Sequence, residues 1–194
     1  PSSIENTKFN KIKLMVVGES CVGKTRYITK YINENDEFSF ITKMFQESIK
    51  VDFNISGKSI LLDILDTPGF EKFKSIYSNI NCAIFMFDLT DIETLKPFQY
   101  CFEHLYSVFG QIPIVLVGNK CDLEDKKVCT EEINEIVNQY DDKFFEVSVK
   151  NNLNIRESMN YTVGEAFRKI YFDNAELLKA SEKEKSVENK CNIS

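Results

Sequence analysis

A three-layer α/β domain is the fold class this sequence predicts: a mostly parallel six-stranded sheet with one antiparallel edge strand and about five helices. Three observations lead there. Short apolar runs alternate with segments whose apolar side chains recur at three- and four-residue spacing, so strands alternate with helices along the chain. A glycine-rich turn, residues 18–25, joins the first apolar run to the first helical segment. One pair of runs is linked by a tight Gly57-Lys58 turn, which makes a hairpin and therefore an antiparallel pair.

Taken in order, 12–17 is an apolar run ending at Gly18, the pattern of a strand covered on both faces. Residues 25–32 carry apolar side chains suited to a helix, and 33–43, polar with scattered aromatics, reads as a loop. Residues 48–55 alternate, the chain turns at Gly57-Lys58, and 60–65 returns as the second arm of the hairpin. Residues 83–87 and 112–117 are further buried strands, and Leu95, Phe98, Phe102 and Leu105 recur at helical spacing between them. Thr130 is expected to cap a helix whose first turn holds Glu131 and Glu132, favourable at the positive end of the dipole. The last strand is 144–147, and Met159, Val163, Phe167 and Ile170 form one stripe of a long final helix. In such open sheets, ligands bind beyond the carboxyl ends of the strands. The motifs fall at those ends.

Composition sets bounds. A chain of 194 residues suffices for one domain without disulfides or metal staples. Its 24 basic and 30 acidic side chains give a net charge of -6, which leaves no general basic field for nucleic acid. The six cysteines show no C-x-x-C pairing and His104 is the only histidine, so neither a zinc site nor a disulfide framework is expected. No secretory signal follows Pro1 and no apolar run reaches bilayer length; a cytoplasmic monomer is the expectation. The domain is assigned to 1–172 and a polar tail to 173–194.

Gly18-Glu19-Ser20-Cys21-Val22-Gly23-Lys24-Thr25 fits G-x-x-x-x-G-K-[ST], the phosphate loop of the P-loop NTPase fold. Glycines let backbone N–H groups close on phosphate oxygens, and the following helix adds its positive end. Lys24 supplies a full charge and the Thr25 hydroxyl a magnesium ligand. Asn119-Lys120-Cys121-Asp122 ends another strand. A carboxylate at Asp122 accepts two parallel hydrogen bonds from guanine, whereas adenine would leave a buried charge unsatisfied. Lys120 is placed along the base plane, and Asn119 ties this loop to the phosphate loop. Asp66-Thr67-Pro68-Gly69 follows the returning hairpin strand. Asp66 is expected in the magnesium shell, and the Gly69 N–H reaches a γ-phosphate that GDP lacks, which gives the loop two states.

These three motifs in this order resemble the Ras superfamily of small GTPases, in a Rab-, Ras- or Rho-like branch, and nearly the whole chain fits. Phe87-Asp88-Leu89-Thr90-Asp91 resembles the family's strand end before its third helix, and Glu146-Val147-Ser148-Val149-Lys150 its last base-binding motif. The resemblance implies Mg²⁺ with GTP or GDP, held at the phosphates by Glu19, Ser20, Cys21, Val22, Gly23, Lys24 and Thr25. It assigns the base to Asn119, Lys120, Asp122 and Leu123 with Ser148, Val149 and Lys150. It makes Lys24, Thr42 and Gly69 the catalytic group, Thr25, Thr42 and Asp66 the metal ligands, and Phe38 a cover for the guanine. Exchange factors, GTPase-activating proteins and effectors are the implied partners, through the switch regions.

The chain departs from that pattern. Thr42 stands one residue off the common spacing to Asp66. Pro68 replaces a usual alanine, Val149 another, and Phe70 stands where the family has the glutamine that orients the attacking water. Slow hydrolysis by a molecular switch and negligible hydrolysis by a GTP-binding scaffold both remain open. An ATP-using enzyme shares only the phosphate loop and is disfavoured by Asp122. Cys191-Asn192-Ile193-Ser194 fits a C-a-a-X signal, so farnesylation of Cys191 and reversible attachment to the cytosolic face of a membrane are expected.

Overall fold

A computed structural model describes residues 11–34, 48–55, 57–68, 78–140 and 143–171. Phe38, Thr42, Gly69, Phe70 and Cys191 lie outside the described residues, as do most of the 33–43 loop and the 173–194 tail.

The strands are β1 (Lys11–Val17), β2 (Ser48–Ile55), β3 (Lys58–Asp66), β4 (Cys82–Asp88), β5 (Ile114–Asn119) and β6 (Lys143–Glu146). The helices are α1 (Lys24–Glu34), α2 (Phe98–Phe109), α3 (Thr130–Tyr140) and α4 (155–171), four α-helices among the described residues. The sheet runs β2-β3-β1-β4-β5-β6. β2 pairs antiparallel with β3 at the edge, and every other pairing is parallel. Six strands, one antiparallel edge and covering helices are the predicted architecture.

Strand periodicity decides what each helix covers. From β1, Leu14 and Val16 enter one core with Tyr27, Ile28 and Tyr31 of α1 and Met159, Val163 and Ala166 of α4. Met15 and Val17 enter the other, with Phe98, Phe102 and Leu105 of α2 and Ile133 of α3. Helices therefore lie on both faces. All seven residues of β4 are buried, which explains why its sequence shows no alternation. Among the described residues no helix is long and apolar enough to cross a membrane.

Most element boundaries shift by a residue or two from the sequence reading, and three of the differences have a clear physical cause. β5 starts at Ile114, not at residue 112, because Pro113 has no N–H to give the ladder; its carbonyl still accepts from Ala83 N–H (2.9 Å). Leu95 is buried but precedes α2, as the C-cap of a 3-10 turn (Ile92–Thr94) whose N-cap Asp91 accepts from Glu93 N–H. Thr130 is the first residue of α3 rather than its cap. The Cys129 carbonyl accepts the first helical bond from Ile133 N–H (3.3 Å), and Glu132 reaches back to Cys129 N–H (3.0 Å), half of a capping box.

Candidate functional site

Parallel strands end together, so the β1, β3, β4 and β5 termini gather their following turns on one side of the sheet. The chain direction of winding reverses around β1, between β3 and β4, which is where an open α/β sheet leaves a crevice.

The turn from β1 to α1 is folded around two glycines that nothing else could replace. Gly18 has φ 146°, and a Cβ there would stand 2.0 Å from the Met86 carbonyl oxygen. Gly23 has φ 106°, and its Cβ would stand 2.5 Å from Asn119 Nδ2. Cys21 between them is left-handed at φ 66°, and its side chain is exposed with that of Ser20, whereas Val22 is buried. Lys24 lies across the loop, its Nζ donating to Gly18 O (2.9 Å) and Glu19 O (2.7 Å) with only 6% of the residue exposed. Burial holds its pKa below the usual lysine range against the opposing pull of Asp66 and Glu19. The result is a cation pinned at the start of a helix, where the peptide dipole also favours an anion.

β3 brings a carboxylate to the same place. Thr25 Oγ1 donates to Asp66 Oδ2 at 2.5 Å, while Asp66 Oδ1 is buried and has no hydrogen-bond partner. A buried carboxylate oxygen left unpaired is costly, and one beside a hydroxyl is a hard-oxygen donor set. That combination fits a small divalent cation such as Mg²⁺, which takes few protein ligands and completes its shell from phosphate and water. Next along, Thr67 Oγ1 donates to Val16 O (2.9 Å), locking the β3 terminus to β1.

The base loop leaves β5 through Lys120, left-handed at φ 67°. Asn119 is 4% exposed and works in two directions: its Nδ2 donates to Val22 O (2.8 Å) and its Oδ1 accepts from Val149 N–H (3.1 Å). One amide thus joins the phosphate loop, the base loop and the turn after β6. Asp122 is braced from that turn, since Ser148 Oγ donates to its Oδ1 (2.6 Å) and Lys150 Nζ stands 3.8 Å from its Oδ2. The Ser148 hydrogen bond leads in holding the Asp122 carboxyl below the usual range. Leu123 is 41% exposed beside the loop, which its N–H closes on Lys120 O (3.0 Å).

Within the described residues, the structure therefore gathers Glu19 to Thr25, Asp66, Asn119, Lys120, Asp122, Leu123, Ser148, Val149 and Lys150 at one end of the sheet. Two contributors carried no such assignment in the sequence. In the sequence Thr67 is only part of a turn. Asp88, at the end of β4, stands opposite Asn119 in register and receives the Lys120 ammonium. The pairing of strand ends, once the sheet order is known, is the signal that finds it.

A family model described as the Ras family matches residues 13–168. The chain is 32% identical over 159 residues to Ras-related protein Rab-13 of Mesocricetus auratus, covering 76% of each chain. It is 32% identical over 163 residues to Ras-related protein Rab-3C of Bos taurus, covering 78% of this chain and 69% of that one. Against Ras-related protein Rab-3A of Homo sapiens the identity is 30% over 163 residues, with 78% and 71% covered.

Proposed function

The chain belongs to the Ras family of small GTPases, and from that premise we propose that it is a guanine-nucleotide-dependent switch, of the kind used in trafficking or signalling, that binds GTP or GDP with Mg²⁺ and hydrolyses GTP slowly. The observation that carries this reading is Asp122. Its carboxylate is 9% exposed, held ionised by Ser148, and tied through Asn119 to a loop built for phosphates. A base offering two adjacent donors satisfies it; adenine does not.

The chain's own groups divide the work. Backbone N–H groups of 18–25 and the α1 terminus surround the phosphates, and Lys24 places its ammonium against the terminal ones. Its bonds to Gly18 O and Glu19 O set that position before the nucleotide arrives. Thr25 and Asp66 would hold the magnesium, with Thr42 as a further ligand, and when bound the ion neutralises charge on the phosphate oxygens. Lys24, Thr42 and Gly69 are the groups assigned to the γ-phosphate, and Phe38 is assigned as cover for the base. The residues after Asp66 and around Thr42 change state with the γ-phosphate, and exchange factors, activating proteins and effectors read that change.

Phe70 favours a second reading, a GTP-binding scaffold with negligible hydrolysis. Its side chain can neither donate to nor accept from an attacking water, so that water loses an orienting group.

The test of the base assignment is direct. Purified protein in Mg²⁺ is expected to carry guanosine nucleotide, and Asp122→Asn to lose about 100-fold in GDP affinity, the loss of a charge-assisted pair of roughly 3 kcal/mol. The same variant should gain xanthosine diphosphate, which offers a donor and an acceptor. Unchanged competition between guanosine and adenosine diphosphates would refute the assignment.

A further inference from the structure

Asp88 is 6% exposed and has no assigned role toward nucleotide or metal, yet its carboxylate receives three donors. Thr90 N–H (2.9 Å) and Thr90 Oγ1 (2.7 Å) reach Oδ1, and Lys120 Nζ reaches Oδ2. Burial alone would raise its pKa; the bonds from Lys120 and Thr90 outweigh that and hold the carboxyl below the usual range. Asp88 also stands directly across from Asn119 in the β4–β5 ladder, and Leu89 N–H donates to Asn119 O (3.0 Å). The acid is therefore built into the same strand ends that launch the base loop.

Lys120 supplies the other half. Its left-handed φ of 67° turns the chain out of β5, and the side chain doubles back until the ammonium meets Asp88. A lysine stem has several free torsions, and one anchored at both ends keeps a single course. We propose that Asp88 is a positioning residue for guanine recognition: it acts through Lys120, fixing the ammonium so that the aliphatic stem is laid out in advance as a wall for the purine. The proposal rests on the guanine reading of this site. Its gain is preorganisation, because the ordering of a flexible side chain is complete before the nucleotide arrives.

A purely structural duty for Asp88 is the competing account, since Asp88 N–H also donates to Thr94 Oγ1 (2.9 Å) and shapes the turn after β4. A double-mutant cycle separates the two. Dissociation of a fluorescent GDP analogue is measured for wild type, Asp88→Asn, Lys120→Met and the double variant, with circular dichroism on each. Asp88→Asn is expected to speed release about tenfold in the presence of Lys120 and less than about twofold in its absence. Equal acceleration in both backgrounds, or none in either, overturns the proposal. If Asp88→Asn does not fold, Asp88→Cys enters the same cycle under the same criterion. A wild type that retains no guanine nucleotide defeats the underlying reading and this proposal together; tight wild-type binding with additive variants defeats this one alone.

Discussion

Gly23 shows how one missing carbon connects two motifs almost a hundred residues apart. Its absent Cβ leaves room for Asn119 Nδ2, which uses that room to reach Val22 O. The phosphate loop and the base loop are thus fitted to each other before any ligand enters. Phe70 stands in the sequence where the family resemblance expects a water-orienting glutamine. If the missing hydrogen-bonding group limits hydrolysis, Phe70→Gln should raise the single-turnover GTP hydrolysis rate about tenfold or more while leaving GDP affinity within about twofold, because orientation of one water is worth up to roughly two orders of magnitude. A wild-type rate equal to that of the variant would show that another group orients the water. The parts of the candidate site legible in the sequence are those whose pattern is local: Lys24 and Thr25 sit in a fixed spacing with their glycines, and Asn119 and Asp122 are three apart. The contact of Asp88 with Lys120 is not legible in the sequence, since the two lie 32 positions apart and only the sheet brings them together.

At the scale of elements, apolar spacing specifies the helices but not their ends. The stripe Met159, Val163, Phe167 and Ile170 does face the sheet. Thr130 failed as a cap because a capping residue is defined by backbone geometry, and Glu132 closes on Cys129 instead. The pairing of α1 with α4 was invisible in sequence, yet it decides how firmly the site is held. Both helices start from site turns, α1 from the phosphate loop and α4 after the Ser148 turn. Tyr27 is fully buried between them and bonds Ser158 Oγ (2.7 Å). Ser158 Oγ also lies 2.7 Å from Asn154 O, which ties the pair to the start of α4. Tyr27→Phe removes the bond to Ser158 while keeping the ring, and should cost about 1 kcal/mol. In a domain of this size that lowers the melting temperature by about 2–4 °C. Calorimetry measures it, and an unchanged melting temperature would mean that the bond contributes nothing net.

Across the whole molecule, the two lowered carboxylates predict how stability depends on pH. Asp88 and Asp122 both titrate below the ordinary aspartate value of 3.8 in the folded chain. Between the folded and unfolded values the unfolded chain binds more protons, so stability rises with pH across that interval and is complete above it. Read downward, the contribution is intact at neutral pH, begins to fade as pH approaches the unfolded value, and is gone once both folded carboxyls are protonated. The melting temperature should therefore be level from about pH 8 to about pH 5 and fall below about pH 4. Asp88→Asn should flatten the acid limb, because its amide no longer distinguishes the folded from the unfolded chain by proton uptake. Protonated Asp122 has also lost an acceptor for the base, so GDP release should accelerate in the same acid window. Release that quickened between pH 7 and 6 would point to a different titrating group, and the two carboxylates would no longer account for the coupling of fold and nucleotide.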